Sequence, residues 1–282
     1  MTRRQTRQTA AGLLVVAVLV LLGASGRHDG GPATSRSAMP SAAAQPSPEP
    51  SAAPPSPSPT VAAPPSTAGG VAPGPGKGVA GSLTHTGTQA VALTFDDGPD
   101  PVNTPRILQV LREHHVKATF CMVGFRVRDH PELVRQIAAD GHTLCNHSWQ
   151  HLLNLAKREP GYIDWDLRHT NDMIHAAVGP DVPVRYFRAP GGNFTPELVA
   201  KAKSLGMESI YWDVDPQDWN HKPDANAQAH IARVVRDVQR HVRPGSIVLS
   251  HDNGQPDTIV VYQRLLPWLT QRFALEPLPC AT

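Results

Sequence analysis

From about Ala90 onward, short runs of apolar residues alternate with amphipathic patterns of helical period. The apolar runs predict strands at residues 91–95, 118–122, 143–146, 186–188, 208–212 and 246–250, with a weaker one at 273–276. The helical patterns lie between them, at residues 105–114, 131–139, 163–177, 196–205, 225–242 and 258–271. This alternation favours parallel strands covered by helices. Six or seven such units predict an α/β barrel, complete or incomplete.

Two of the predicted helices carry start signals. Thr195 precedes Pro196, and Asn103 or Thr104 precedes Pro105. A hydroxyl or amide side chain followed by proline at the first helical position is typical of a helix N-terminus. We therefore predict side-chain caps at Thr195 and at Asn103 or Thr104.

The first third of the chain lacks the residues from which a core is built. All 15 aromatic residues of the 282-residue chain lie at or after Phe95, and 13 of its 29 prolines lie at or before Pro75. Residues 37–76 hold 12 Pro, 10 Ala and 7 Ser, and such a segment cannot bury enough apolar surface to offset its ordering entropy. We therefore predict a disordered linker over residues 27–87 and one folded domain over residues 88–282.

The first 26 residues have the pattern of a targeting segment. Arg3, Arg4 and Arg7 precede an apolar run over residues 10–23, and small residues follow it. This order is typical of an export signal. The run is shorter than the roughly 20 residues of a membrane span. Cleavage and retention as a membrane anchor stay open as alternatives, and we expect the folded domain outside the cell in either case.

The charge of the chain divides along the same line. Residues 1–88 carry six basic and two acidic residues, which leaves 20 basic and 22 acidic residues for the remainder. The folded part is therefore near neutral, and it lacks the basic footprint of a nucleic-acid-binding protein.

Polar side chains follow five of the predicted strands, at the point where each strand ends. The groups are Asp96-Asp97-Gly98-Pro99, His147 with His151, Arg188, Asp218-Trp219 and His251. The carboxyl ends of barrel strands meet at one rim, where chemistry collects. Each group taken alone has a simpler interpretation, because Asp and Gly-Pro favour turns and single charged residues are mostly solvated.

Taken together, these residues can form a metal-dependent hydrolytic site. His147 and His151 face the same way if their loop makes one helical turn, and imidazole suits zinc and its neighbours in the transition series. Asp96 or Asp97 would complete a site with two histidines, one carboxylate and an open position for water. The other aspartate would then be a candidate general base, which Arg188 could orient, and His251 could be the general acid.

The same residues resemble the five ordered motifs of the polysaccharide deacetylases, the family of the NodB-homology domain. The motifs are Thr94-Phe-Asp-Asp-Gly-Pro99, His147-Ser-Trp-Gln-His151, Arg188-Ala-Pro-Gly-Gly192, Asp218-Trp219 and Leu249-Ser-His251, and the resemblance spans about residues 88–275. It implies a distorted (β/α) barrel of about seven parallel strands. It also implies a metal-dependent hydrolase that removes N- or O-acetyl groups from polysaccharides.

The resemblance also implies a role for each motif residue. Asp96 would be the general base, positioned by Arg188, and the metal ligands would be Asp97, His147 and His151. Asp218 would pair with His251 and hold it protonated as the acid. Trp219 and Leu249 would wall the pocket for the acetyl methyl group, and the backbone N–H of Gly191 would lie in the oxyanion hole.

Three positions depart from the family pattern. Leu152 stands where the family often has Pro, and Ala189 and Gly191 replace residues that are frequently Pro and aromatic. None is a metal or acid–base position. The glycine removes one surface on which a sugar could stack, so it bears on groove specificity.

The chain has three cysteines. The resemblance makes the strands that carry Cys121 and Cys145 neighbours, and export allows a disulfide between them. Two buried free thiols are the alternative, and Cys280 is expected to be unpaired.

These observations predict an exported, metal-dependent polysaccharide deacetylase that hydrolyses N-acetyl groups of amino-sugar polymers, either peptidoglycan or chitin-type chains. The expected cofactor is a divalent metal, Zn²⁺ first, with Co²⁺ or Ni²⁺ as alternatives. The expected partner is the acetylated polysaccharide, with no nucleic acid, and membrane contact only through an uncleaved N-terminal segment. We expect a monomer. The alternatives are an O-acetylxylan esterase with the same site and a catalytically inactive module that binds cell-wall glycan.

Overall fold

A computed structural model describes residues 77–279 of the chain. Within that range six strands form one parallel sheet in the order β5-β4-β3-β2-β1-β6. The strands are β1 (Ala92–Asp96), β2 (Thr119–Met122), β3 (Thr143–Asn146), β4 (Val184–Phe187), β5 (Glu208–Ser209) and β6 (Ile247–His251). The first and last of these strands are neighbours, so β1 lies inside the sheet although it comes first along the chain.

Seven α-helices cover the sheet in the described range. They are α1 (Asn103–Glu113), α2 (Gly124–Asp129), α3 (Pro131–Ala139), α4 (Pro160–Val178), α5 (Pro196–Ser204), α6 (Ala227–His241) and α7 (Pro256–Thr270). The six predicted helices are confirmed, with ends that agree to within three residues. The short helix α2 was not predicted, because six residues carry too little periodicity to be read from sequence.

One of the two predicted helix caps is confirmed. The Thr195 side chain accepts a hydrogen bond from the Leu198 N–H, with Pro196 at the first helical position of α5. The cap at Asn103 or Thr104 is wrong, because α1 already begins at Asn103. There the carboxylate of Asp100 accepts the N–H groups of Val102 and Asn103 instead.

Side chains alternate between two buried layers along the central strands β1, β2 and β3. Leu93 and Phe95 of β1 face the helices, where Phe95 stacks on Phe120 and contacts Tyr262. The other layer fills the barrel with a smaller cluster, which consists of Ala92, Cys121, Cys145, Tyr186, Ile210, Ile247 and Leu278. Cys121 and Cys145 are opposite each other on β2 and β3 and form a disulfide bond. The two layers follow from the period-2 geometry of a strand.

The barrel is distorted because it is closed by irregular segments. The predicted strand 208–212 is only two residues long, and the chain then turns so that Asp213 and Val214 bond to β6. The predicted seventh strand at 273–276 is wrong, since Leu275 forms only a single bridge with Val91. The chain continues from there to bury Leu278 in the inner cluster. A segment that crosses the base of the barrel alternates like a strand, so the sequence pattern could not separate the two.

Residues 77–87, assigned to the linker, belong to the folded domain. Leu83 pairs with Ile210 in parallel fashion, and His85 pairs with Ser246 in antiparallel fashion. The domain therefore begins earlier than the predicted boundary at residue 88. Most of the predicted linker, the targeting segment 1–26 and Cys280 lie outside the described residues. Between residues 77 and 279, no helix is both long and apolar enough to span a membrane.

Candidate active site

Three side chains at the carboxyl ends of β1 and β3 converge on one point. Asp97 follows β1, and His147 follows β3. The Asp97 Oδ1 atom lies 3.3 Å from Nε2 of His147 and 3.1 Å from Nε2 of His151. This carboxylate oxygen is buried and has no hydrogen-bond partner in the described structure. The loop between the histidines does not make the expected helical turn, because Ser148 and His151 have left-handed backbones, yet both rings reach the same carboxylate.

The surrounding backbone fixes which nitrogen of His147 faces this point. Its Nδ1 lies 2.7 Å from the carbonyl oxygen of Arg188. A carbonyl can only accept, so Nδ1 carries a proton and donates it, which leaves Nε2 as the nitrogen that faces Asp97. This orientation by an outer partner is the arrangement that metal-binding histidines use.

The electrostatics of the cluster suit a cation. Burial disfavours the charged carboxylate, yet His147 and His151 hold the pKa of Asp97 far below its usual value. Burial also disfavours the His147 imidazolium, but Asp96 and Asp97 outweigh it and raise the pKa of His147. Two imidazole nitrogens and one carboxylate oxygen, all within 4.8 Å of one another, form a donor set that fits zinc. The residues present therefore fit a divalent metal.

Asp96 lies beside this cluster but has a different partner. Its Oδ1 accepts a 2.7 Å hydrogen bond from Nη1 of Arg188, and its Oδ2 is 3.6 Å from Nε2 of His147. Arg188 is fully buried, and it also donates to Thr94 Oγ1 and to the carbonyl of Tyr211. The Arg188 guanidinium thus fixes one oxygen of Asp96 and leaves the other facing the candidate metal ligands. A general base needs this placement.

His251 and Asp218 form the second acid–base pair. Nδ1 of His251 lies 2.8 Å from Oδ1 of Asp218, and the other Asp218 oxygen accepts the His251 N–H and the Thr258 hydroxyl. Burial disfavours the imidazolium, but Asp218, followed by Asp96 and Asp97, raises the pKa of His251 to about 9. His251 is therefore protonated at neutral pH, and its Nε2 is the nitrogen left to donate.

One cavity of about 440 Å³ is lined by the three candidate metal ligands, by Asp96 and by His251. Arg188 and Asp218 lie behind its lining. The predicted pocket residues Gly191, Trp219 and Leu249 line it as well. Gly191 has a φ of 62°, a left-handed conformation that side chains rarely adopt. Trp219 is 49% exposed, whereas Leu249 is buried. Trp219 therefore lines the solvent-exposed side of the cavity, and Leu249 lines its buried side.

The cavity is also lined by three residues that the sequence analysis did not assign to the site. They are Leu153, Trp212 and Asp215. Trp212 ends the predicted strand 208–212, and Leu153 has no sequence signal beyond its nearness to His151. Asp215 follows the fifth strand, as a site residue would, but Asp213 does so too and instead accepts a hydrogen bond from Ser246. Burial raises the pKa of Asp215.

Comparison with known proteins finds related sequences and structures. A sequence model described as "Polysaccharide deacetylase" matches residues 84–210. A chitooligosaccharide deacetylase of Bradyrhizobium is 36% identical over 208 residues, which cover 69% of this chain and 91% of the relative. A peptidoglycan-N-acetylglucosamine deacetylase of Bacillus cereus is 33% identical over 189 residues, covering 64% of this chain and 82% of the relative.

The solved structures include a related pseudoenzyme. The crystal structure of a carbohydrate esterase family 4 (CE4) pseudoenzyme from Bacillus anthracis superposes with a TM-score of 0.62 at 30% identity. The match covers 70% of this chain and 66% of that one. Sequence and fold lead to the same assignment, and the chain belongs to the polysaccharide deacetylase family.

Proposed function

We propose that the protein is an exported, metal-dependent hydrolase that removes N-acetyl groups from amino-sugar polymers, either peptidoglycan or chitin-type chains. The observation that carries the proposal is the joint placement around one cavity of three candidate metal ligands, the carboxylate of Asp96 held by Arg188, and a histidine paired with Asp218. The relatives named above as deacetylases of chitooligosaccharide and of peptidoglycan N-acetylglucosamine support the substrate class.

The cofactor we propose is Zn²⁺, held by Asp97, His147 and His151. A bound divalent cation supplies Lewis-acid polarisation of the acetyl carbonyl and lowers the pKa of a water molecule. Co²⁺ and Ni²⁺ accept the same nitrogen and oxygen donors, so they are alternatives. The open cavity beside the three ligands supports a catalytic site, since a structural zinc site is closed by protein ligands.

Two protein residues carry out the two proton transfers, Asp96 as the base and His251 as the acid. Asp96 takes a proton from the attacking water while Arg188 holds its other oxygen. The negative charge that develops on the carbonyl oxygen is stabilised by the N–H of Gly191. His251 gives its Nε2 proton to the departing nitrogen, so the carbon–nitrogen bond breaks to acetate and a free amine. Asp218 stabilises the imidazolium until that transfer.

The same groups would hydrolyse an O-acetyl ester, because His251 can protonate an alkoxide as well as an amine. An O-acetylxylan esterase is therefore the alternative within this chemistry. The cell-wall location that we propose rests on the targeting pattern of residues 1–26 and the Pro-rich residues after them. It favours peptidoglycan as the polymer that an exported enzyme meets first.

Acetate release tests the proposal directly. The purified protein would be stripped with a chelator, reloaded with Zn²⁺, Co²⁺ or Ni²⁺, and assayed on chitin oligomers, peptidoglycan and acetylated xylan. We expect metal-dependent acetate release, fastest on an N-acetylated polymer. Faster release from xylan would establish the esterase. A protein that binds glycan and metal but releases no acetate from any substrate would be an inactive module, like the pseudoenzyme among its structural relatives.

A further inference from the structure

Within residues 77–279, a second group of side chains that could bind a metal lies outside the cavity. His221, His230 and Asp257 bring ligand atoms within 4.8 Å of one another. The buried member, His230, has both ring nitrogens engaged. Nε2 lies 3.0 Å from the carbonyl oxygen of Asp218, and Nδ1 lies 2.9 Å from the carboxylate of Asp224. The group is therefore bonded to the loop of the active site and does not offer two free imidazoles to a metal.

His230 contacts the loop that carries Asp218, the partner of the proposed acid His251. Residues 215–226 connect the end of the β5 segment to α6 without a helix or strand, and they hold both Asp218 and Trp219. Asp218 is 1% exposed, while Trp219 beside it is 49% exposed. An irregular segment of this length needs bonds to its carbonyl groups if it is to hold a buried carboxylate in place.

A single guanidinium supplies most of those bonds. Nη1 of Arg233 donates to the carbonyl of Pro216 at 2.8 Å, and Nη2 donates to those of Gln217 at 3.2 Å and Asn220 at 2.9 Å. Nε of Arg233 donates to Asp224. Because three of its acceptors lie on both sides of Asp218 and Trp219, the arginine clamps the loop around them.

His230 completes the clamp at the central residue. It stands three positions before Arg233 on α6, so the two side chains share one face of the helix. A carbonyl only accepts, so Nε2 of His230 donates to Asp218. His221 stacks on the His230 ring at 3.8 Å and covers it. The backbone of Asp218 is thus fixed from α6, while its carboxylate reaches across to β6 and α7.

We propose that His230 and Arg233 are positioning residues for the reaction, which act by fixing the Asp218 backbone and thereby the orientation of the His251 imidazole. The inference rests on the proposed role of His251 as the acid. Both oxygens of Asp218 bond to His251, one to the ring and one to the backbone N–H, so a displacement of Asp218 turns the ring that donates the proton. Misplacement of a reacting group by about 1 Å costs on the order of a hundredfold in rate.

The test compares His230→Leu with His230→Gln in the full-length, zinc-loaded protein. Leucine removes the donor to Asp218, whereas the glutamine amide can restore it. We expect kcat of His230→Leu to fall about tenfold or more with KM changed by less than about threefold, and His230→Gln to recover most of kcat. His241→Gln, an exposed histidine at the end of the same helix, is the matched control and should behave as the wild type.

A second readout does not depend on turnover. The imidazole pKa of His251, followed by NMR, should fall in His230→Leu, because Asp218 no longer sits against the ring. The other charged or titratable groups that face His251 are unchanged by the substitution: Asp96, Asp97, His151 and Asp215. This titration can be measured even if no acetylated glycan proves to be a substrate, so failure of the clamp and failure of the proposed function are distinguishable.

A folded His230→Leu protein with wild-type kcat and an unchanged His251 titration would overturn the proposal, even if its melting temperature fell. If His230→Leu does not fold, Arg233→Gln takes its place. It removes the fork of donors to Pro216, Gln217 and Asn220, and the same losses in kcat and in the His251 pKa are expected. Normal values in that variant would likewise overturn the positioning role.

Discussion

Three residues in the loops that carry the candidate metal ligands have the left-handed backbone conformation that non-glycine residues avoid. Asp97, Ser148 and His151 have φ values of 75°, 66° and 54°. Each such residue costs on the order of 1–3 kcal/mol, which the surrounding structure must offset. For two of the three, side chains help to do so, because Asn146 accepts the Ser148 N–H and the Ser148 hydroxyl accepts the His151 N–H. These hydrogen bonds hold the loop that carries the His151 ring.

Replacing Asp96 separates catalysis from metal binding. In Asp96→Asn the Arg188 bond to Oδ1 can persist, but the amide cannot accept the proton of water. We expect acetate release to fall by about 10³-fold, within the range typical of a lost general base, with zinc affinity changed little. Steady-state kinetics and metal titration measure the two effects. Asp172→Asn, an exposed carboxylate on α4, is the control. Unchanged acetate release in Asp96→Asn would remove Asp96 from the role of base.

The pH dependence follows from the pair of His251 and Asp218. Asp218 helps to raise the pKa of His251 to about 9, so the active, protonated imidazole is present below that value and is lost as pH rises through it. In Asp218→Asn the carboxylate is gone, and we expect the alkaline limb of kcat to move down by about 1–2 pH units. A pH–rate profile at saturating substrate checks this. An alkaline limb at the wild-type position would mean that another group is the acid.

At the scale of elements, the sequence predicted the parts whose signals are local. Thr195 caps α5, and each strand end that carries a motif lies on the rim, because periodicity and capping depend on nearby residues. One local signal fails, because Asp100 takes the capping role expected of Asn103 or Thr104. The other errors involve contacts between distant segments. Residues 273–276 have an apolar pattern like that of a strand, but the packing of Leu278 decides where that segment runs. Leu153 and Trp212 line the cavity for the same reason, since no local pattern marks an apolar wall.

The disulfide joins two adjacent strands, β2 and β3, through the inside of the barrel. Its cysteines are 24 residues apart in sequence, and closing a loop of that size stabilises a protein by about 3 kcal/mol in the chain-entropy account. We expect the double variant Cys121→Ala/Cys145→Ala to lose about that much free energy of unfolding.

Denaturant unfolding of the double variant and of the wild type, with and without a reductant, measures this loss. The reduced wild type should approach the double variant. Equal stability of the double variant and the oxidised wild type would show that the cross-link contributes nothing measurable.

At the scale of the whole domain, the barrel depends on both ends of the described chain. Leu278 is 1% exposed in the inner cluster, where Leu83 from the other end packs against the same residues. The N–H of Leu278 donates to Thr119, and its carbonyl accepts from Thr143. The base of the barrel is therefore covered by the C-terminal segment, while the opposite rim holds the cavity.

Truncating this side chain should weaken the fold without touching the site. We expect Leu278→Ala to lower the free energy of unfolding by about 2–4 kcal/mol, the usual cost of a buried leucine, while kcat of the folded protein stays at the wild-type value. Chemical denaturation and kinetics at low temperature measure the two. Leu153→Ala, at a leucine that is 60% exposed, is the stability control and should change it by less than about 0.5 kcal/mol. Similar losses in both variants would contradict the role of Leu278.

The place of Leu278 also sets an order of events during synthesis. The first strand, β1, pairs with β6, the last of the six strands, and Leu278, which follows all of them along the chain, fills the interior of the barrel. A chain emerging from the ribosome therefore lacks part of the barrel interior until residue 278 has been made. We expect the barrel to close late in synthesis, once β6 and Leu278 are both available.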